Sequence, residues 1–323
     1  MSRAPDLRQT NPGSVAFIAC VESGYLENQT KLLCRSIRRY AGRYRNAPIY
    51  TFQPRRGTAI NSDTLAVLNE LGIVHDTRPL NVEFHSYAIA NKILCCAWAE
   101  ENLTHDILVF MDSDTIITGE PSDLDLPPGI DGAARPCNKW EGGISSTGPG
   151  DPNESYWQTV YASRGVKTEP FVESVVDRKR VRAYFSSGLV AVRREAGLFA
   201  QWREDFLKLV HEGLIPNERR TRQMDEISLA ATLGRAFERV RVLDWRYNYL
   251  LYRRAELSLP AREAQLEDLI HIHYRFWFNQ AGYLRQIQPS FNPSSKVLQW
   301  LDRHLPFQPV IDGPMPSPLY SLT

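Results

Sequence analysis

The chain has 323 residues, 43% of them hydrophobic and 23% charged, which is enough to bury a large core in one α/β domain or two smaller domains. Lysine plus arginine (38) nearly balances aspartate plus glutamate (37), so net charge does not favour a nucleic acid or an anionic membrane as partner. The five cysteines are an odd number without metal-ligand spacing, which argues against a zinc ribbon and a disulfide framework and favours a cytoplasmic protein. No run of 18 apolar residues occurs, which argues against a membrane span.

Strand and helix patterns alternate along the first third of the chain. After a polar leader at residues 1–14, residues 15–21 predict a core strand that is followed by a helix. The pattern continues with a strand at 48–52, a helix that ends before Gly72, and a helix with apolar residues at 89–97. Alternation of this kind predicts an α/β fold with a mostly parallel central sheet and helices on both faces.

The segment at residues 107–117 is the most informative, because five apolar residues lead directly into Asp112 and Asp114. We interpret it as a buried strand that ends at the edge of the sheet, with both carboxylates on one face because strand side chains alternate. Two carboxylates at this spacing suit Mn²⁺ or Mg²⁺, which keeps coordination positions for substrate phosphates. The alternative is a pair of aspartates in a solvated turn.

The second half of the chain contains longer loops. Residues 121–152 are rich in proline, glycine and aspartate and predict mostly loop, with a short strand near 131–136. Within this stretch, 138–150 are either a mobile segment over the site or a passive surface loop. A strand is predicted at 183–192, and the small residues inside it indicate close approach of a ligand or of another backbone segment. The proline-rich residues 289–323 are predicted to pack along the surface as a tail.

Two pairs of polar residues could complete a site. His271 and His273 are two residues apart in an apolar segment, so both would face the same side of a strand. One of them could be a metal ligand, and the alternative is that they are buried core residues. Asp225 and Glu226 begin a helical stretch and point about 100° apart, so we expect one to reach the pocket while the other caps the helix or is solvated. Residues 245–249 form an aromatic and amide cluster suited to a sugar or a base, with core packing as the alternative for its tryptophan.

Taken in order, these segments resemble the nucleotide-sugar glycosyltransferases of the GT-A fold, most closely family 8, the glycogenin and lipopolysaccharide galactosyltransferase type. The resemblance covers residues 15–280 and implies a Rossmann-like α/β fold, with residues 15–288 as a single GT-A domain. The matching segments are the first strand with Tyr25, Lys92 in the helix before the aspartates, and residues 111–114, 184–190, 225–229, 245–248 and 270–274.

The resemblance implies an enzyme that moves a sugar from a nucleotide diphosphate donor, UDP-sugar, to an acceptor that the sequence does not identify. Mn²⁺ or Mg²⁺ would be bound by Asp112, Asp114 and either His271 or His273. Asp225 and Glu226 would be the catalytic residues. The residues placed at the donor by the resemblance are Ala19, Cys20, Val21, Tyr25, Lys92, Asp112, Ser113, Ser186, Ser187 and Arg275.

Departures from the family pattern leave the mechanism open. Glu226 stands where the family carries a glutamine near the anomeric carbon, so its carboxylate could act as nucleophile, ion-pair stabiliser or base. Retention is the family's outcome, but this change leaves the stereochemistry undecided. Arg275 could replace a lysine that is missing after the late histidines. The other interpretations are a haloacid-dehalogenase-like phosphatase with Asp112 as nucleophile and Asp114 as acid/base, and an inactive transferase fold used for binding.

Overall fold

The computed structural model describes residues 14–137, 144–174, 178–214 and 223–308. The α-helices are α1 (Tyr25–Tyr40), α2 (Ser62–Glu70), α3 (Ala90–Asn102), α4 (Glu154–Arg164), α5 (Leu198–His211), α6 (Met224–Arg235), α7 (Tyr283–Gln286) and α8 (Lys296–Asp302). The strands are β1 (Val15–Cys20), β2 (Ile49–Phe52), β3 (Val74–Asp76), β4 (Ile107–Met111), β5 (Thr115–Ile117), β6 (Gly132–Pro136), β7 (Phe171–Glu173), β8 (Arg180–Arg182), β9 (Phe185–Arg193), β10 (Val240–Val242), β11 (Tyr249–Leu250) and β12 (His271–His273). Among these described residues, no helix has the length and apolar character needed to span a bilayer.

Seven strands form the central sheet in the order β10-β6-β9-β4-β1-β2-β3. Its neighbouring pairs are parallel except where β9 runs antiparallel to β4 and β6. This arrangement confirms the predicted α/β class with a mostly parallel sheet. Because β9 runs in the opposite direction, its first residues lie at the sheet edge where β1 and β4 end, and Leu189 pairs with Met111.

Strand β4 shows why the sequence at the centre of the sheet is entirely apolar. Leu108 and Phe110 belong to a core cluster with residues of α3, α5 and α6, whereas Ile107, Val109 and Met111 belong to a second cluster with residues of α1. Both faces of the strand are therefore covered by helices, so neither face needs polar residues. The predicted placement of helices on both faces is confirmed.

The predicted strand at 107–117 is two strands. The first, β4, ends at Met111 in the central sheet. The second, β5, begins at Thr115 and belongs to a separate small sheet with the order β11-β12-β5. Asp112 and Asp114 lie in the turn between the two strands. The alternation of side chains along a single strand is therefore not what brings these carboxylates together, and that part of the prediction is wrong.

A third core cluster contains residues from both sides of the expected domain end at residue 288. It joins the small sheet to Leu284 and Ile287 and also to Phe291, Leu298 and Leu301, which are all buried. The expectation of a tail that only packs along the surface is wrong for residues 289–308, because α8 contributes apolar side chains to this core. The proline-rich composition obscured the short amphipathic helix.

The structure describes only part of the loop that is predicted to lie over the site. Residues 138–143 lie outside the described residues. The adjoining Ile144, Ser145 and Ser146 are buried, and the carbonyl of Ile144 accepts a hydrogen bond of 2.6 Å from the indole of Trp157 in α4. This end of the loop is therefore fixed against a helix.

Candidate active site

The candidate site lies at the edge of the central sheet where β1 and β4 end and β9 begins. The turn after β4 is held to β9 because the backbone N–H of Asp112 donates to the carbonyl of Gly188 at 3.0 Å. The first turns of α3 and α6 reach the same edge and bring Lys92 and Asp225 to it. Ligands bind preferentially at such an edge in open α/β sheets.

Asp112, Asp114 and His273 form a group whose potential ligand atoms all lie within 4.8 Å of one another. His273 Nε2 is 3.1 Å from Asp114 Oδ2. Burial raises the pKa of Asp112, although Lys92 opposes the rise, whereas for Asp114 the neighbouring His273 outweighs burial and lowers the pKa. Two carboxylates and one imidazole are a donor set that suits a divalent cation such as Mn²⁺.

Asn248 holds His273 in the orientation that this group needs. Its side-chain oxygen is 3.2 Å from His273 Nδ1, and its side-chain nitrogen donates to Ser186 Oγ at 2.6 Å. With the amide assigned in this way, Nδ1 donates to Asn248 and Nε2 faces Asp114, so Nε2 is the atom that a bound cation would use. Asn248 adopts a left-handed backbone conformation with φ of 47°, a region that asparagine tolerates better than most residues.

The structure distinguishes the two histidines. His271 is fully buried, and its Nδ1 accepts a hydrogen bond of 3.2 Å from the backbone N–H of Asn248. Burial lowers the pKa of His271 well below its usual range, so this imidazole is neutral. Among the described residues, the group with Asp112 and Asp114 contains His273, whereas His271 lies outside it.

Lys92 connects the two acidic parts of the site. Its Nζ lies 2.8 Å from Asp112 Oδ1, 3.1 Å from Asp225 Oδ2 and 3.1 Å from Ser187 Oγ. Burial lowers the pKa of Lys92, but the two carboxylates outweigh this effect and raise it, so the ammonium group stays charged. Ser187 in turn donates to Asp225 at 2.6 Å. Asp112, a predicted metal ligand, and Asp225, a predicted catalytic acid, therefore both pair with the ammonium group of Lys92.

Asp225 and Glu226 both line the same cavity. The expectation that one of them would cap the helix or be solvated is therefore wrong, although they do have different partners. Asp225 contacts Lys92 and Ser187, whereas Glu226 accepts a hydrogen bond from the hydroxyl of Tyr184. Their separation around the helix lets one carboxylate bind a cationic side chain while the other faces a phenol.

Two cavities meet at Lys92 and Asp112. The larger has a volume of about 390 Å³, and the smaller has a volume of about 230 Å³. Of the other residues predicted at the donor, Ser186, Ser187 and Arg275 line the larger cavity, whereas Cys20, Tyr25 and Ser113 line the smaller one. Ala19 in β1 and Val21 directly after it are buried and line neither cavity, and the backbone N–H of Val21 donates to the carbonyl of Phe52.

Tyr25 lines the smaller cavity and Arg275 lines the larger one. Tyr25 is the first residue of α1 and its side chain is 47% exposed, so its ring is accessible from the smaller cavity. Arg275 has a left-handed backbone with φ of 57°, and its guanidinium carbon lies 4.2 Å from the centre of the Tyr252 ring. Its carbonyl accepts from Gln29 of α1 at 3.0 Å, which ties this loop to the first helix.

Several residues that contribute to the site were not predicted from the sequence. Asn248 lay within the aromatic and amide cluster, and Tyr184 lay within the segment before the small residues of β9, so both carried a weak signal. Tyr252 and Glu22 also line the two cavities and had no distinguishing pattern. Glu22 is buried and pairs with Arg55 at 2.8 Å, a contact between loops that spacing along the chain does not reveal.

Comparison with solved structures finds similar chains at low sequence identity. The chain is similar to the apo form of the bifunctional glycosyltransferase WbbM, with a TM-score of 0.53 and 14% identity over 93% of this chain and 53% of that chain, so it spans about half the length of WbbM. Mouse xyloside xylosyltransferase 1 gives a TM-score of 0.46 with 14% identity over 81% of this chain and 97% of that chain. The galactosyltransferase LgtC, in complex with donor and acceptor sugar analogues, gives 0.47 with 14% identity over 90% of this chain and 96% of that chain.

Comparison with curated proteins returns no match. The family model described as the Rhodobacterales glycosyltransferase domain matches residues 17–236, which is more than half of the chain. These residues include β1, α3, the turn after β4, β9 and α6, and so most of the site described above. The chain belongs to the Rhodobacterales glycosyltransferase domain family and is a glycosyltransferase of the GT-A fold.

Proposed function

We propose that this glycosyltransferase is metal-dependent and uses a nucleotide diphosphate sugar, with UDP-sugar as the donor. The observation that carries the proposal is the group of Asp112, Asp114 and His273, which lies beside two adjoining cavities. The UDP-sugar assignment rests on the resemblance to family 8. Because the chain belongs to a glycosyltransferase family, we set aside the phosphatase interpretation, and the assay of UDP release described below tests the inactive binding protein.

The two cavities suggest a division of the donor. We propose that the base stacks on Tyr25 in the smaller cavity, while the sugar occupies the larger cavity near Asp225 and Glu226. A divalent cation bound by Asp112, Asp114 and His273 would supply positive charge to the diphosphate that leaves. Lys92 keeps Asp112 and Asp225 close together despite their like charges.

We propose Glu226 as the carboxylate that faces the anomeric carbon. It lines the larger cavity, and the Tyr184 hydroxyl fixes its orientation from inside the core. A carboxylate in this position can attack the anomeric carbon or stabilise the positive charge that develops there, and both routes are compatible with the retention that we propose. NMR analysis of the first product tests this point, and an inverted anomeric configuration would contradict it.

Thermal unfolding with a panel of nucleotides tests the donor class. We expect UDP to raise Tm only when MnCl₂ or MgCl₂ is present, because metal and diphosphate complete each other's coordination. Saturation at about 100 times Kd adds about 2.7 kcal/mol to the free energy of unfolding. GDP, ADP and CDP should give smaller shifts, and EDTA should abolish the effect of UDP. Equal shifts with all four nucleotides, or none with UDP, would contradict the proposal.

Substitution of Asp114 tests the metal group directly. We expect Asp114→Ala to abolish Mn²⁺-dependent release of UDP from a UDP-sugar, because the group loses one of its two carboxylates. Asp63→Ala removes an exposed carboxylate from the first turn of α2 and should keep wild-type activity. Circular dichroism of both variants checks that the fold is intact. Full activity of a folded Asp114→Ala would remove the assignment.

A further inference from the structure

A further cleft adjoins the larger active-site cavity on the side of the small sheet. It has a volume of about 280 Å³, and its lining includes Tyr252, Trp277, Gln280, Tyr283, Gln286 and Gln288, which we call the aromatic cleft. We propose that the aromatic cleft binds a pyranose ring of the acceptor, so that the acceptor is a glycan. This proposal rests on the proposed function, since it adds the acceptor class to the same enzyme.

The aromatic rings offer surfaces of the kind that sugars use. Trp277 and Tyr283 are half-buried and stack with ring centres 5.1 Å apart and planes at 16°. Phe276 stacks on Trp277 at 5.2 Å and remains 60% exposed. One face of a pyranose presents C–H groups that are apolar and weakly positive, and such groups are attracted to the negative face of an aromatic ring. Aromatic rings that remain partly exposed beside amide side chains therefore favour a sugar as ligand.

The glutamines supply the polar half of this recognition. Gln280 Nε2 donates to Gln286 Oε1 at 3.0 Å, which orients the two amides relative to each other. This arrangement leaves the oxygen of Gln280 as an acceptor and the nitrogen of Gln286 as a donor. Sugar hydroxyls both donate and accept, so paired amides beside aromatic rings match them better than a purely charged or purely apolar lining would.

The floor of the aromatic cleft is rigid. Arg254 also lines it, is 1% exposed, and donates to the carbonyls of Pro289 and Ala264 at 2.8 and 2.6 Å. Arg254 also donates to the hydroxyl of Tyr249 at 2.9 Å. A lining that is already fixed loses little conformational entropy when a ligand binds.

Tyr252 connects the aromatic cleft to the chemistry, because it lines both this cleft and the larger active-site cavity. Its ring is edge-on to His273 with centres 6.2 Å apart, and Arg275 covers it at 4.2 Å. A sugar stacked in the cleft can therefore direct a hydroxyl towards the donor. The cleft is built from residues 251–288, beyond the segment 17–236 that matches the family, which is where recognition of a particular acceptor would vary.

Saturation-transfer NMR on the full chain tests the proposal with maltose, lactose, cellobiose and diacetylchitobiose as probes. UDP and MnCl₂ are kept saturating, so that a signal cannot come from the nucleotide part of the donor site, and the cleft variants separate the aromatic cleft from the larger cavity that would hold the donor sugar. We expect at least one disaccharide to bind to the wild type. Tyr283→Ala and Gln286→Ala should each weaken that binding about tenfold, which corresponds to about 1.4 kcal/mol.

The matched control is Gln299→Ala, which removes an exposed glutamine from α8 and should bind the disaccharide as the wild type does. Each variant should also keep the increase in Tm that UDP and Mn²⁺ produce, which shows that the donor cavity is intact. The proposal is overturned if no disaccharide binds, or if the two cleft variants bind like the wild type. Loss of the UDP response in the wild type would instead contradict the proposed function.

Discussion

At the scale of single residues, Gly188 lies in a part of the site that leaves little space for a side chain. A Cβ at this position would lie 3.0 Å from Asn248 Oδ1 and 3.2 Å from His273 Nδ1. We expect Gly188→Ala to displace the Asn248–His273 pair and to weaken UDP binding in the presence of Mn²⁺ at least tenfold, with a loss of about 1–3 kcal/mol in the free energy of unfolding. Isothermal titration and urea unfolding measure the two effects.

Gly234 provides the control for that substitution. It lies within α6, where an added Cβ would have its nearest contact at 3.5 Å from Val166, an ordinary van der Waals distance. Gly234→Ala should leave UDP binding unchanged and stabilise the protein by about 0.5–1 kcal/mol, since alanine favours a helix. Equal UDP affinity in the two variants would show that Asn248 does not position His273.

Tyr184 tests the role of Glu226 without removing the carboxylate. Its hydroxyl donates to Glu226, and burial together with this carboxylate raises the pKa of Tyr184 well above its usual range, so the phenol stays protonated. A hydrogen bond to a charged group contributes about 1.5–3 kcal/mol, so we expect Tyr184→Phe to lower kcat at least tenfold with little change in the donor KM. Steady-state kinetics of UDP release measures both constants.

Tyr161→Phe is the comparison for this prediction. Tyr161 is equally buried in the same aromatic cluster, but its hydroxyl donates to the carbonyl of Ala183 at 3.3 Å. We expect this variant to lose some stability while keeping kcat. If both phenylalanine variants reduced kcat by the same factor, the effect would come from packing rather than from the contact with Glu226.

At the scale of elements, the start of α5 is capped by a different helix. The residue before it, Gly197, has no side chain to cap the helix, and Glu100 of α3 accepts hydrogen bonds from Phe199 N at 3.1 Å and Ala200 N at 2.7 Å. Burial raises the pKa of Glu100 to about 7, even though these backbone bonds oppose the rise. The contact between α3 and α5 therefore includes a carboxyl group that is difficult to ionise.

This cap predicts a pH dependence of stability. The unfolded state releases the Glu100 proton near pH 4.5 and the folded state near pH 7, so the free energy of unfolding should fall by about 3 kcal/mol as the pH rises through this window. Glu100→Gln should flatten the dependence, because the amide does not titrate. Urea unfolding at pH 5, 6, 7 and 8 measures it. Glu101→Gln changes the exposed neighbour that pairs with Arg203 at 2.6 Å and should keep the wild-type slope.

At the scale of the whole molecule, the small sheet and the C-terminal helix share one core, and that core supports His273. Leu301 of α8 is fully buried in it, together with Ile272 of β12. We expect Leu301→Ala to reduce the free energy of unfolding by about 2–5 kcal/mol, as for other buried leucines, and to lower the affinity for UDP with Mn²⁺. The exposed Gln299 on the same helix gives the control variant Gln299→Ala. Wild-type stability of Leu301→Ala would restore the interpretation of this segment as a surface tail.

The sequence by itself determined the class of fold and the main segments of the site. Fully apolar strands such as residues 107–111 require cover on both faces, and helical spacing between them supplies it, so the α/β class follows from local pattern alone. Asp112 and Asp114 were identified because they directly follow a patterned strand, whereas Lys92 was assigned only through the resemblance to family 8. Local periodicity depends on neighbours within a few residues, which is why it can be read from one chain.

Only the tertiary structure decided how those segments combine. Asp114 and His273 are 159 residues apart, and the choice of His273 over His271 depends on the pairing of β12 with β5 and on the side chain of Asn248. The antiparallel direction of β9, which brings Ser187 to Lys92, likewise has no local signature. Strand order, strand direction and side-chain orientation are set by contacts between distant segments, so only the assembled chain determines them.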